Sequence, residues 1–376
     1  MSQTFVSSES LPNFRLWDKM KDKRMPLSFE LEVTARCNND CAHCYINLPA
    51  GDAGARAAEL SLEEIRRIAG EAVSLGATWC LLTGGEPLLR KDFFEIYLGM
   101  KRLGLLISVF TNACLVTPRH AELFRKYPPR DLEVTVYGAS RETYEAVTRK
   151  PGSFGAFQRG LNLLLAGGLK VRLKAMALRA NVHELPEIAR FCRDRTRDYF
   201  RFDPLLHLRF DGNPIRNEEI RGQRLSPEEI VSIERADSER FWALKKGCDQ
   251  LIWLRGPEGC SHLFQCGAGQ GSFSVSYSGL FRLCSSLWHP DCIYDLRRGN
   301  LREAWDKLAL QVRELTSQNR EFLEKCRACP LVNLCLWCPA HAHLESGRLD
   351  AWVEYFCRVA QARARGLGLE KGGRKN

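Results

Sequence analysis

Between residues 27 and 203 the chain alternates two kinds of hydrophobic pattern. Short runs rich in β-branched, aromatic and leucine residues, at 27–34, 79–82, 105–110, 132–137, 171–178 and 199–203, have strand character. Between them, at 62–75, 92–103, 119–126, 154–166 and 184–195, apolar positions recur three and four residues apart, the period of an amphipathic helix. Ser61 and Glu64 form a capping-box pair at the start of the first of these helices. Strands alternating with helices predict a parallel α/β sheet, open or curled into a partial barrel, with ligands at the carboxyl ends of the strands.

The pattern changes after the last strand. Residues 207–224 are polar and contain Asp211-Gly212-Asn213-Pro214, which reads as a linker or long loop. Ser226-Pro227-Glu228-Glu229 then restarts a helix, with Ser at the N-cap and Pro at the first helical position. From Cys260 to Cys357 cysteine density rises while long apolar elements become few, so this region needs metal to fold. The expected division is an N-terminal extension (1–26), a barrel (27–225), linker helices (226–259), a cysteine-rich domain (260–362) and a tail (363–376).

Composition narrows the class. With 45% hydrophobic and 27% charged residues, the chain is an ordinary soluble globular protein. No apolar h-region follows Met1, and the run from Leu161 to Leu169 is broken by Gly167 and Gly168, so neither a signal peptide nor a membrane span is expected. The cytosol is the expected compartment, and there 16 cysteines point to metal or catalysis rather than disulfides. The net charge of +10 is dispersed along the chain, without the basic stripe and stacking aromatics of a nucleic-acid module.

Cys37-Asn38-Asn39-Asp40-Cys41-Ala42-His43-Cys44 directly follows the first strand. Three thiolates on one loop can ligate three irons of a cubane and leave the fourth iron open to a ligand. This CxxxCxxC spacing after a first strand resembles the radical SAM superfamily. The resemblance implies a partial (β/α)6 TIM-like barrel and an open iron that chelates the amino and carboxylate groups of S-adenosylmethionine. It also implies reductive cleavage of that molecule to methionine and a 5′-deoxyadenosyl radical, with an electron donor such as flavodoxin or ferredoxin. His43 stands where relatives place an aromatic residue near the adenine. Thr83-Gly84-Gly85-Glu86-Pro87, at the end of the second strand, resembles the superfamily's GGEP loop, which bonds the amino group of the methionine moiety. The glycines are expected to let the backbone approach the ligand, and the ammonium to partner the Glu86 carboxylate. Asn112 resembles a ribose-contacting position. Thr135 aligns with the Ser of a Ser-Leu-Asp-Gly motif in which Tyr137 replaces the Asp, and Arg149 is placed near the cofactor carboxylate.

Downstream, Cys260-x5-Cys266-x12-Gly279-x4-Cys284 precedes Cys326-x2-Cys329-x5-Cys335-x2-Cys338 and then Cys357. This looks like the SPASM extension of radical SAM enzymes, although relatives have one more residue in the last short gap, where Leu336 and Trp337 stand here. The resemblance implies two auxiliary clusters, one on Cys260, Cys266, Cys284 and Cys338 and one on Cys326, Cys329, Cys335 and Cys357. With the triad, that makes three 4Fe-4S clusters. Gly279 would turn the hairpin that presents Cys284. Zinc is the rival, but a five-residue spacer between CxxC pairs is shorter than the roughly 15–20 of such zinc sites. Cys80, Cys114, Cys192, Cys248 and Cys292 read as small buried hydrophobes, with Cys248 or Cys292 as a possible catalytic thiol.

SPASM-bearing relatives mostly modify peptides. In those that oxidise a sulfatase residue, an Asp follows the cysteine matching Cys284; here Ser285 and Ser286 follow, which argues against that reaction. The preferred reading is maturation of a ribosomally made peptide by a crosslink or related modification. About 26 residues precede the first strand, too few for a leader-binding domain of the kind relatives carry, so recognition of a leader by a separate protein or by the catalytic domains is expected. A cofactor-pathway enzyme and a non-catalytic iron–sulfur carrier are the alternatives. A carrier would have no need of an open iron or a GGEP loop.

Overall fold

The computed structural model describes residues 23–196, 200–251, 261–335 and 337–368. Six parallel strands lie in chain order: β1 (Ser28–Thr34), β2 (Trp79–Gly84), β3 (Leu106–Thr111), β4 (Asp131–Val136), β5 (Val171–Met176) and β6 (Arg201–Asp203). They alternate with helices α1 (Leu62–Ser74), α2 (Phe93–Arg102), α3 (Pro118–Lys126), α4 (Arg141–Thr148), α5 (Ser153–Ala166) and α6 (Leu185–Arg195). Each expected strand is present within a residue or two, except that Tyr199 lies outside the described residues. The Ser61/Glu64 capping box closes α1 with both reciprocal bonds, Ser61 N–H donating to Glu64 at 2.7 Å and Glu64 N–H to the Ser61 hydroxyl at 3.2 Å. The alternation of β1 sends Phe29, Leu31 and Val33 into the apolar core, while Glu32 and Thr34 take the opposite face.

Two features depart from the sequence reading. Residues 207–224 are not simply a loop: α7 (Pro214–Gln223) forms there, capped by the Asn213 side chain, which accepts from Arg216 N–H at 3.1 Å. Two helices follow, α8 (Pro227–Ala236) and α9 (Ser238–Leu251). The cysteine-rich region also joins the barrel's own sheet. Its strands β7 (Ser272–Val275), β8 (Leu280–Arg282) and β9 (Tyr294–Asp295) give the order β9-β8-β7-β1-β2-β3-β4-β5-β6. β7 pairs parallel with β1, and Phe273 stacks on Phe29 at 5.4 Å between ring centroids. Gly279 turns β7 into β8 with φ of +88°, as expected, its N–H donating to Ser276 O at 2.9 Å. Two C-terminal helices, α10 (Pro339–Ser346) and α11 (Glu354–Gly366), then fold back over the carboxyl ends of the strands. Among the described residues no helix is long and apolar enough to cross a membrane.

Candidate functional site

The carboxyl ends of the strands enclose a cavity of about 470 Å³. Cys37, Cys41, His43, Cys44, Gly84, Gly85, Asn112 and Thr135 all line it, so the structure gathers most of the expected site residues in one place. The triad loop is held from one side by α4, with Asp40 N–H donating to Thr148 O at 2.9 Å and Ala42 N–H to Val147 O at 3.2 Å. Asn112 reaches across from the end of β3, its Nδ2 lying 3.7 Å from Cys37 Sγ and 2.9 Å from Asn38 Oδ1. His43 is buried with Nδ1 unpartnered, and burial followed by the nearby Arg216 charge lowers its pKa to about 4. Thr135 bonds Tyr137, which packs on His43 at 5.4 Å and bonds the Cys41 thiol.

Two expected residues, Glu86 and Arg149, sit away from the cavity lining. Glu86 is fully buried and absent from the cavity lining. Its carboxylate accepts from Thr111 Oγ1 at 2.7 Å, Asn112 N–H at 2.8 Å and Leu88 N–H at 3.1 Å. Burial outweighs these donors and raises its pKa to about 7. In this geometry Glu86 pins the end of β3 rather than pairing with a cation. The glycines before it are required by packing as much as by any ligand. A Cβ on Gly84, where φ is +132°, would stand 2.1 Å from Thr34 O, and one on Gly85 would stand 2.3 Å from Arg36 O. Arg149 points away from the cavity, pairing with Glu219 at 3.0 Å and Asp40 at 3.9 Å.

The downstream cysteines fall into two groups. Cys266 and Cys284 are both near enough to Cys338 to perturb its thiol, whereas Cys260 lies outside the described residues. Cys326, Cys329, Cys335 and Cys357 line one small pocket. Burial pushes Cys284 up to about 11 and Cys326, Cys335 and Cys338 up to about 12, so a metal must displace protons to bind these thiols. Among the described residues no three His, Cys, Asp or Glu side chains close on a single ion. A cubane asks for a wider set, one thiolate per corner iron.

The donor chemistry fits such clusters. Sulfur after sulfur accepts an N–H from two or three residues downstream: Cys37 from Asn39 at 3.4 Å, Cys329 from Leu331 at 3.4 Å and Cys338 from His341 at 3.4 Å. Cys44 takes N–H groups of Ile46 and Asn47, Cys284 that of Ser286, and Cys335 that of Trp337. Such bonds favour thiolate and tune cluster potential. The buried Cys80, Cys192 and Cys292 have no donor of this kind among the described residues, as suits small hydrophobes. Cys114 is different again, partly buried with its thiol 3.6 Å from Ser153 O, and the Cys248 side chain lies outside the description.

Sequence reasoning missed the rest of the cavity wall. Lys174 and Met176 on β5, His207 after β6, and His341, Phe356 and Arg363 on α10 and α11 complete it. The His207 and His341 rings stack with centroids 3.7 Å apart. Lys174, two residues before the end of β5, was the one with a readable signal, since a charge inside a strand marks a lined interior.

Comparison with known proteins follows from this geometry. Residues 31–192 match the model of the radical SAM superfamily. The AdoMet-dependent heme synthase of Methanosarcina barkeri is 24% identical over 332 residues, covering 84% of this chain and 92% of that protein. The mycofactocin maturase MftC of Mycobacterium tuberculosis is 32% identical over 167 residues, 44% of this chain and 41% of that one. Among solved structures, SuiB of Streptococcus suis bound to S-adenosylmethionine superposes with a TM-score of 0.63 at 16% identity, covering 90% of this chain and 80% of that chain. SuiB has also been solved with its precursor peptide SuiA. With the triad loop lining the cavity that these strands build, residues 31–192 form a radical SAM domain, a family that implies a 4Fe-4S cluster and S-adenosylmethionine.

Proposed function

We propose that the chain is a three-cluster radical SAM enzyme that oxidatively modifies a peptide. The observation that carries the reading is the gathering of ten thiols into three groups, Cys37/Cys41/Cys44, Cys266/Cys284/Cys338 and Cys326/Cys329/Cys335/Cys357, with backbone N–H groups donating to Cys37, Cys44, Cys284, Cys329, Cys335 and Cys338. Cys260 would complete the second group. The triad's cluster, when bound with its open iron, supplies the electron that splits S-adenosylmethionine into methionine and a 5′-deoxyadenosyl radical. The chain's residues orient that chemistry. Gly84 and Gly85 present backbone to the methionine end, Asn112 and Thr135 present polar groups, and His43 presents a neutral ring for the adenine. His207, His341 and Phe356 also line the cavity and would face a substrate residue. The His341 N–H meets Cys338, so one member of the first auxiliary group bonds a residue of the cavity wall, and that group would be a suitable electron acceptor. A flavodoxin or ferredoxin would reduce the triad's cluster, and a separate leader-binding protein could deliver the peptide. Similarity to MftC and the SuiB fold support the peptide class.

A second reading, a small carboxylated substrate, is favoured by the near full-length similarity to a heme synthase. Anaerobic reconstitution separates the claims. Three clusters require about twelve irons per chain, with a third lost in the Cys37/Cys41/Cys44→Ala variant, which should also make no 5′-deoxyadenosine. About four irons with zinc in the remaining thiols would sink the auxiliary clusters. Stimulation of 5′-deoxyadenosine formation by a carboxylated porphyrin, but not by short peptides encoded beside the gene, would overturn the peptide class.

A further inference from the structure

The segment between β6 and α7 lies against the outer side of the triad loop and bonds it densely. Arg209 is buried, and its Nη1 donates to three acceptors of the loop: Cys44 O at 3.4 Å, Asn47 O at 3.1 Å and Asn47 Oδ1 at 3.0 Å. Its Nε and Nη2 sit on Asp211 at 3.0 and 2.7 Å, and its own N–H donates to Asn217 Oδ1 at 2.8 Å. Arg216, on the first turn of α7, donates Nη2 to Cys41 O at 3.1 Å and Asn47 Oδ1 at 3.3 Å, and pairs with Asp40 at 2.9 Å. Glu219 holds its other nitrogen at 2.9 Å. Phe210 N–H adds a backbone bond to Tyr45 O at 3.2 Å. The strap is anchored near both ends, where Leu206, Leu208 and Ile220 pack on Val147 and Leu178 in an apolar cluster of their own.

We propose that residues 207–219 form a strap that holds the triad loop in its ligating shape, with Arg209 and Arg216 as positioning residues for the open-iron cluster. The geometry makes the case. Two guanidinium groups take the carbonyls of Cys41 and Cys44, and the Cys41 carbonyl also accepts the Cys44 N–H at 3.2 Å, so the turn between the two cysteines is bonded from inside and outside the loop. The following N–H groups, of Ile46 and Asn47, face the Cys44 sulfur. A planar fork can fix two carbonyls at once, where an ammonium would act as a point charge. Both cations also stand behind thiolates that carry the cluster's negative charge, and a nearby positive charge makes an acceptor easier to reduce. The Asp211, Asp40 and Glu219 partners keep the buried Arg209 and the half-buried Arg216 paired independently of any cluster.

The proposal rests on the triad being the cluster's ligand set, and the test separates the two. In the metal-free full chain, hydrogen exchange is followed at the amides of residues 40–47 for wild type, Arg216→Gln and Arg209→Gln, with β4 as internal reference. Arg216, partly exposed, is the variant that should fold without difficulty. The expected result is at least tenfold faster exchange in the loop with β4 unchanged. In the iron-loaded chain, the reduced signal that shifts on adding S-adenosylmethionine reports the open-iron cluster. At a fixed solution potential its reduced-to-oxidised ratio should fall about tenfold in Arg216→Gln, which is 59 mV for one electron. Arg216→Lys should restore the ratio but not the slow exchange. Loop exchange unchanged in both glutamine variants, or raised equally in β4, would overturn the strap. Iron absent from the wild-type triad would overturn the ligand reading instead, leaving the exchange result to judge the strap.

Discussion

Gly85 is where a single methyl group should do the most damage to this site. A Cβ there would lie 2.3 Å from Arg36 O, 2.6 Å from Ala35 O and 2.7 Å from Arg36 C, all backbone atoms that no rotamer change can move aside. The strands are stitched at this point, Gly85 N–H donating to Thr34 O at 2.7 Å and Glu86 N–H to Arg36 O at 2.9 Å. Relief therefore means parting the ends of β1 and β2 by something under about 1 Å. Overpacking of this kind costs roughly 1–3 kcal/mol, and one weakened backbone bond adds about 1 kcal/mol. The expected loss for Gly85→Ala is then about 2–4 kcal/mol. The displaced backbone carries Cys37 on one side and the Gly84–Gly85 turn on the other, and an ångström of misplacement can lower a rate by about 100-fold. The comparison is Gly70→Ala on α1, where a Cβ meets nothing within 4 Å. There the helix should gain about 0.5–1 kcal/mol. Urea unfolding and 5′-deoxyadenosine formation per bound iron, measured on both variants, decide the matter. If Gly85→Ala unfolds at the wild-type midpoint and cleaves at the wild-type rate, the close-approach reasoning is wrong.

Three further outcomes follow from buried groups. Burial raises both Glu86 and Glu32 from the ordinary carboxylate range, near 4.5, to about 7. Their protons leave the unfolded chain first, so each costs stability as pH rises from about 4.5 to 7 and no more above that; the shift corresponds to about 3 kcal/mol per group. Glu86→Gln should roughly halve this decline in the metal-free chain, and unfolding curves at pH 5 and 7.5 with an unchanged difference would refute it. Arg282→Met should cost about 3–5 kcal/mol, because Arg282 and Glu32 pair at 2.6 Å with neither side chain exposed; adding Glu32→Gln should recover much of the loss in the same denaturation assay. Cys284→Ala, checked for folding by circular dichroism, should keep 5′-deoxyadenosine formation and lose modified product, whereas product at the wild-type rate would make that group structural.

The barrel was legible because its signals are local. Each strand is a short apolar run and each helix repeats at the helical period, so boundaries agree within a residue or two. The triad and the downstream cysteines were legible because ligand spacing is written along the chain. α7 was missed because its amphipathic face is poor: Ile220 is buried but Ile215 is 73% exposed, and the buried Asn217 gives no hydrophobic signal. The Asn213-Pro214 pair, a cap followed by a first-turn proline, was the readable cue. Arg149 was assigned by its place beside a motif, yet ion pairs with Glu219 and Asp40 decide where its side chain goes. No local pattern could have told that Glu86 would find three donors, or that His341 and Phe356 would close the cavity from more than 130 residues beyond His207. Those are contacts of tertiary fold.

The same distinction bears on how the auxiliary groups stand to the triad. A reading of domains joined by linker helices lets their separation depend on the linker. The sheet removes that freedom, because β1 pairs with β2 on one edge and with β7 on the other. Its carboxyl end leads directly into Cys37, and its buried Glu32 takes the Arg282 charge from β8. β8 runs antiparallel to β7, with Arg282 level with Ser274 and Ser274 level with Glu30, so the chain is travelling toward the amino end of β1 as it reaches Cys284. The triad and Cys284 therefore lie toward opposite ends of one strand, and their spacing is set by hydrogen-bond register. On the proposed reading, an electron leaving a substrate in the cavity would meet an acceptor whose distance from the triad is set by this sheet register.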